Sequence, residues 1–301
     1  MFSKSQSSIS SQTASAPSKL TDYAVFIKLR LSMLVVFSAV IGFVLISKGN
    51  TDWIKAAWLT IAGFLVTGCA NGFNQIIERK YDKLMDRTAM RPLPQERMTV
   101  NESIIVASVI GLIGLFILYF FLNPLSSLLS ALSIFLYVVC YTPLKRKSPF
   151  AVLVGAFPGA FPPLLGAIAA TENFGSIPFE GLVLFAIQFI WQFPHFWAIA
   201  WVMDEDYKKA GFSLLPSGQR NKASAFQIVF YTLFLILISM VPVFFGMTNT
   251  IVAPLVILAA GIIFFYPSIR LYKDCSIKAA QQVMFGSFAY LPIVQLAILL
   301  G

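Results

Sequence analysis

The stretch WIKAAWLTIAGFLVTGCANGFNQIIERKYDKLMDRTAMRPLP, Trp53 to Pro94, joins two kinds of sequence that rarely adjoin. From Trp53 to Ile76 its only charge is Lys55; from Glu78 to Arg91 charges crowd together. A continuous apolar run of roughly eighteen residues or more marks a membrane-spanning helix rather than an alternating β-strand. Working outward, such runs recur at roughly 27–47, 53–76, 103–122, 125–142, 150–170, 179–201, 224–245, 250–268 and 280–300. Hydrophobic residues make up 58% of the chain and charged residues 12%. The expected fold class is an all-α polytopic membrane protein with nine spans.

The net charge of +9 raises the possibility of nucleic-acid binding, but its distribution argues against it. All of the 22 Lys and Arg except Lys48 and Lys55 fall on one side of the alternating topology. That is the positive-inside pattern, with the N-terminus cytoplasmic and the C-terminus opposite. Residues 1–20, rich in Ser and free of acids, read as a disordered cytoplasmic tail; a mitochondrial transit peptide is the alternative. Residues 21–301 form one domain. Cys69, Cys140 and Cys275 have no disulfide-like spacing and are expected as free thiols.

No acid or base lies at the middle of a span, which disfavours an ion-coupled secondary transporter. The polar residues gather at inner ends. Asn74, Glu78, Asp82 and Asp86 recur every four residues, so on a helix the first three form a drifting line, about 6 Å apart in rise. Asp86 joins the line only if the helix continues that far. Such oxygen ligands suit Mg²⁺ shared with a phosphate-bearing substrate. The interleaved Arg79, Lys80, Lys83, Arg87 and Arg91 suit the phosphates. Spacing alone leaves a solvated, ion-paired loop equally open. A second acidic group, Asp204, Glu205 and Asp206 with Tyr207, Lys208 and Lys209, ends span six on the same side. Two acidic-plus-basic sites on one face suit a diphosphate gripped through metal ions. Tyr141 and Lys145 at the end of span four, and Lys28 and Arg30 at the start of span one, are further contributors.

Taken together, these motifs resemble the UbiA-type intramembrane prenyltransferases over nearly the whole chain after residue 20. The Asn-x-x-x-Glu-x-x-x-Asp line is similar to the family's first acidic motif, with Glu78 where Asp is usual. "YTPLK" resembles its Tyr-x-x-x-Lys element. "RTAMRPL", "GAFPPLLG" and "PHFWAIAWVMDEDYKKAGFSLLP" resemble segments of the branch that modifies heme. The resemblance implies helices around a central cavity, Mg²⁺ as cofactor, and transfer of a farnesyl group from farnesyl diphosphate to heme B. It implies Asn74, Glu78, Asp82, Asp206, Tyr141 and Lys145 as catalytic residues. Metal ligands would come from Asn74, Glu78, Asp82, Asp86, Asp204 and Asp206, with Asp206 favoured over Asp204. Diphosphate ligands would come from Arg30, Lys83, Arg87, Arg91, Lys145 and Lys208. The bacterial inner membrane is the expected location, the mitochondrial inner membrane the alternative. Heme A synthase or oxidase assembly factors are the protein partners it suggests.

His195, the only histidine, lies nine residues before Asp204, about 13 Å deeper by helical rise. A structural role and contact with heme, together with Trp191, both remain open. Pro158, Pro162 and Pro163 are expected to kink span five. Trp191, Trp197 and Trp201 are interfacial anchors or aromatic walls, with anchoring favoured for Trp201. The competing functions are a prenyltransferase acting on an aromatic quinone precursor such as 4-hydroxybenzoate, a secondary transporter, and a structural assembly subunit.

Overall fold

The computed structural model describes residues 18–301. Among them nine helices are long and apolar enough to cross a bilayer, numbered here as spans one to nine. They run Leu29–Ser47, Trp53–Asp82, Val100–Leu122, Pro124–Leu144, Ala151–Ala169, Phe179–Val202, Lys222–Phe244, Val252–Asp274 and Ile277–Leu300. Asn74, Glu78 and Asp82 turn inward, at most 5% exposed, so span two stays helical past Ile76 as far as Asp82. Span three starts at a capping box in which Thr99 and Glu102 satisfy each other's backbone N–H.

Before span one lies a short helix, Lys19–Phe26, capped by Ser18. It replaces the last residues of the expected tail; residues 1–17 lie outside the described residues. Its outer face is fastened to the base of span three. Arg97 donates to Asp22 at 2.9 Å, and Lys19 and Tyr23 reach Glu102 at 3.1 and 2.8 Å.

Spans five and six form the centre. Burial reaches 72% and 67% of their apolar stretches, against 17–39% for the other spans. Span five packs on spans one, four and six, and span six on spans seven and nine. Span one crosses span five backbone against backbone. A Cβ on Gly166 would lie 1.7 Å from the Ala39 carbonyl oxygen, and one on Gly42 would lie 2.0 Å from that of Pro163. Small residues permit this approach, which is how helices gain contact where lipid supplies no hydrophobic drive.

Span five remains a continuous helix through Pro158, Pro162 and Pro163. Pro163 has no N–H for the Gly159 carbonyl four residues earlier. The Gln188 amide of span six donates to that carbonyl instead, at 2.8 Å. Gln295 of span nine donates to Gln188 at 2.9 Å and accepts from Ser38 of span one at 3.1 Å. A carboxamide chain thus ties four spans together in the apolar interior, where an unpaired polar group is costly. All three cysteines are free.

Candidate active site

The inner ends of spans two, four and six converge. Asn74, Glu78 and Asp82 share one face of span two because the helix continues to Asp82. Asn74 donates to the Thr142 hydroxyl at 3.1 Å, and Thr142 donates in turn to the Tyr137 carbonyl at 2.8 Å. Glu78 forms a buried ion pair with Lys145. The Lys145 ammonium sits 5.0 Å from the Tyr141 ring centre and 5.5 Å from that of Phe212. Tyr141 and Lys145 are four residues apart, so one helical turn places ring under ammonium. They follow a widened, π-helical turn over Leu136–Tyr141, a device common at functional sites. Burial alone would push the Lys145 ammonium down; the Glu78 carboxylate beside it holds it above the usual lysine range.

Past Asp82 the chain leaves the helix and folds back. Thr88 donates to the Asp82 carbonyl at 2.9 Å, and Arg91 to the Asp82 carboxylate at 2.7 Å. The Arg-Thr-x-x-Arg segment therefore caps the end of span two. Thr88, fully buried, is a residue the sequence reading missed. Asp206 accepts from the backbone N–H of Asp86 at 2.8 Å and of Arg87 at 3.4 Å, so the second acidic segment clamps the turn of the first. Asp86 lies beyond the helix, exposed, and pairs with Lys209 at 2.6 Å. Asp204 is buried against Lys208 at 2.7 Å and Arg220 at 3.6 Å.

The basic residues divide. Arg91 and Lys145 are inside the cluster. Lys83 turns to Glu96 at 2.9 Å on the exposed side, Lys208 stays with Asp204, and Arg30 is exposed. Lys28, two residues before Arg30, lies half-buried at the break just before span one. Burial, then the charges of Arg91 and Lys145, push it down to about 7. A cavity of about 390 Å³ adjoins Glu78 between spans two and four, lined also by Ile77, Tyr81, Thr142, Pro143, Arg146 and Lys147.

The donor set fits Mg²⁺. Asp82 Oδ1 is buried without a hydrogen-bond partner, beside Glu78 on a face of hard oxygen donors. Among the described residues no three His, Cys, Asp or Glu side chains gather into a ready metal cluster. That agrees with an ion that takes one or two carboxylates and completes its shell from substrate phosphates and water.

His195 lies deeper in span six. Its Nδ1 is 2.7 Å from the Ser287 hydroxyl, which donates its own proton to the Met284 carbonyl at 2.6 Å. Nδ1 must therefore be the donor, leaving Nε2 with a free lone pair. Trp191 stacks on the imidazole at 4.2 Å and donates to the Ser287 carbonyl at 2.9 Å. Trp201 is no interfacial anchor: it is fully buried, and Trp191 and Trp197 are buried too. Trp191 bonds Ser287 of span nine, and Trp197 meets Tyr231 of span seven edge-on.

A helical bundle with two acidic segments and a buried lysine at one membrane face is the architecture of an intramembrane prenyltransferase. Residues 35–291 match the UbiA prenyltransferase family, and the chain belongs to it. Its relatives include the protoheme IX farnesyltransferase of Cytophaga hutchinsonii, 49% identical over 94% of this chain and 98% of the relative. The protoheme IX farnesyltransferases of Christiangramia forsetii and Flavobacterium psychrophilum are 46% and 44% identical, each over 93% of both chains. Among solved structures, a digeranylgeranylglyceryl phosphate synthase superposes with a TM-score of 0.77 at 20% identity, covering 94% of this chain and 98% of that one. A UbiA homologue from Archaeoglobus fulgidus bound to GPP and Mg²⁺ gives 0.68 at 15% identity, covering 92% and 99%. At these identities the structures establish the shared fold.

Proposed function

We propose that this multi-pass membrane protein transfers the farnesyl group of farnesyl diphosphate to a vinyl group of heme B with addition of water, giving heme O and diphosphate. The observation that carries the reading is the convergence of both acidic segments with buried Lys145 and Arg91 at one end of the bundle. The named relatives supply the substrate pair. Mg²⁺, held by Asn74, Glu78 and Asp82 with Asp206 or Asp204 opposite, would neutralise charge on the diphosphate. Lys145 and Arg91 bind the diphosphate oxygens as the allylic C–O bond breaks, exchanging a carboxylate partner for a phosphate one. Tyr141 holds the Lys145 ammonium in place. The apolar spans take the farnesyl chain and keep water from the allylic cation until the vinyl carbon attacks. Water then captures the new cation and gives up a proton. His195 and Trp191 are the proposed contacts for heme, with Nε2 free to meet iron.

The bacterial inner membrane is the proposed site of action, with the cationic ends cytoplasmic. The decisive test incubates the purified chain with farnesyl diphosphate, heme B and Mg²⁺ and reads the product mass. Heme B plus one farnesyl group plus one water is expected. Farnesylation of 4-hydroxybenzoate with heme B untouched would overturn the acceptor and leave the prenyltransferase.

A further inference from the structure

The Lys19–Phe26 helix lies ahead of residues 35–291, the part of the chain that matches the family, yet it is fastened to the loop that carries Arg91. Phe26, fully buried, packs with Ile76 of span two and with Leu93 and Met98 of that loop. Asp22, one turn before Phe26, is buried with its carboxylate turned to Arg97. Arg97 Nε donates to both Asp22 oxygens, at 2.9 and 3.2 Å. Nη2 of the same guanidinium donates to the Met90 carbonyl at 3.1 Å. The Lys19 ammonium adds a bond from the helix to the Arg97 carbonyl, at 2.8 Å. A planar, forked guanidinium can hold a carboxylate and a carbonyl at once, where an ammonium is a point charge.

The Met90 carbonyl and the Arg91 N–H belong to one peptide unit. Its N–H donates to the Thr88 carbonyl at 3.0 Å, and its carbonyl is the one that Arg97 holds. The next carbonyl, that of Arg91, accepts from the Gln95 N–H at 3.1 Å. The backbone on both sides of the Arg91 side chain is therefore fixed, and its guanidinium ends on Asp82 at 2.7 Å. Thr88 and Gln95 belong to the same loop as Arg91. The hold through Arg97 alone reaches beyond that loop, to a buried carboxylate in a separate helix. Met90 is exposed, where a loop carbonyl otherwise bonds to water and stays mobile.

We infer that Asp22 and Arg97 are positioning residues for the inner site. The pair fixes the peptide before Arg91 and so aims the Arg91 guanidinium at Asp82 and at the diphosphate, a role that rests on the diphosphate reading given above. The short helix before span one is thereby a working part of the site, although none of its side chains reaches the reacting groups.

The test is calorimetric titration of inorganic pyrophosphate, with Mg²⁺ present, into the purified full chain, with thermal unfolding followed in parallel. Arg97→Lys keeps a cation for Asp22 but cannot also span to the Met90 carbonyl. It is expected to weaken pyrophosphate about fivefold with little change in unfolding temperature. Asp22→Ala is expected to weaken it as much and to lower the unfolding temperature, since the helix loses its anchor. In an Arg91→Ala background, Asp22→Ala is expected to lower the unfolding temperature again yet weaken pyrophosphate no further, because it acts through Arg91. A merely structural pair would cost affinity in both backgrounds. Wild-type affinity in Arg97→Lys overturns the bridge to Met90, and additive losses in the double variant overturn the action through Arg91. If Arg91→Ala itself binds as wild type, the diphosphate reading falls too; if Arg91→Ala loses binding while Arg97→Lys and Asp22→Ala keep it, this inference alone falls.

Discussion

Asp82 concentrates the chemistry of the inner site in one side chain. One oxygen is held by Arg91 and the other is buried without a partner, an arrangement that invites a cation or a proton. Asp82→Asn keeps the shape and an acceptor for Arg91 while removing the charge. Turnover is expected to fall about 10²–10³-fold with the fold retained, read as product formed per minute beside a thermal melt. Excess chelator should silence the wild type equally, and full turnover in chelator would remove the metal from the reading. His195 makes a separate case. If its Nε2 meets the heme, His195→Ala weakens heme and shifts its absorption spectrum while farnesyl diphosphate binds as before. If it only props the helix beside Pro194, both substrates and stability are lost together. The motif gave His195 its place but not its tautomer, which depends on Ser287 some ninety residues away in sequence.

At the scale of elements, the crossing of spans one and five admits no side chain at Gly166. Gly166→Val is expected to cost at least about 3 kcal/mol, since the obstacle is the Ala39 backbone. Gly63→Ala, whose Cβ would meet only Val36 methyl carbon at 3.1 Å, should cost less than about 1 kcal/mol. Unfolding in detergent distinguishes them, and equal effects would contradict the crossing. The helices themselves were legible in the sequence because lipid demands long apolar runs. The fold-back at Thr88, the widened turn before Tyr141 and the role of Asp206 as a clamp on backbone N–H were not. Each depends on a partner supplied from another part of the chain, which periodicity does not carry. The interfacial reading of Trp201 failed for a related reason: an aromatic near a span end looks the same whether it meets lipid or another helix.

At the scale of the molecule, cationic loops on one side and alternating spans make a topology that can be checked by labelling. Single cysteines in a cysteine-free chain at Glu96, Lys147 and Lys222 should react from the cytoplasmic side, and those at Gly49, Asn173 and Asn249 only from the other. Labelling of the first group from outside would overturn the nine-span arrangement. The hydrogen bonds that complete span six also fix an order of assembly. Gln188 leans on Gln295, and Trp191 and His195 lean on Ser287, all supplied by span nine. Tyr290 of span nine donates to Ser239 of span seven at 2.8 Å. Ribosomes make span nine after the other eight. Until it enters the bilayer, the Gln188 amide oxygen, the Trp191 indole and the His195 imidazole of span six wait without their partners, so span six finishes folding only once span nine has been released. A chain truncated before Ile277 would keep eight apolar spans yet expose to quality-control proteases the polar groups that a finished protein hides.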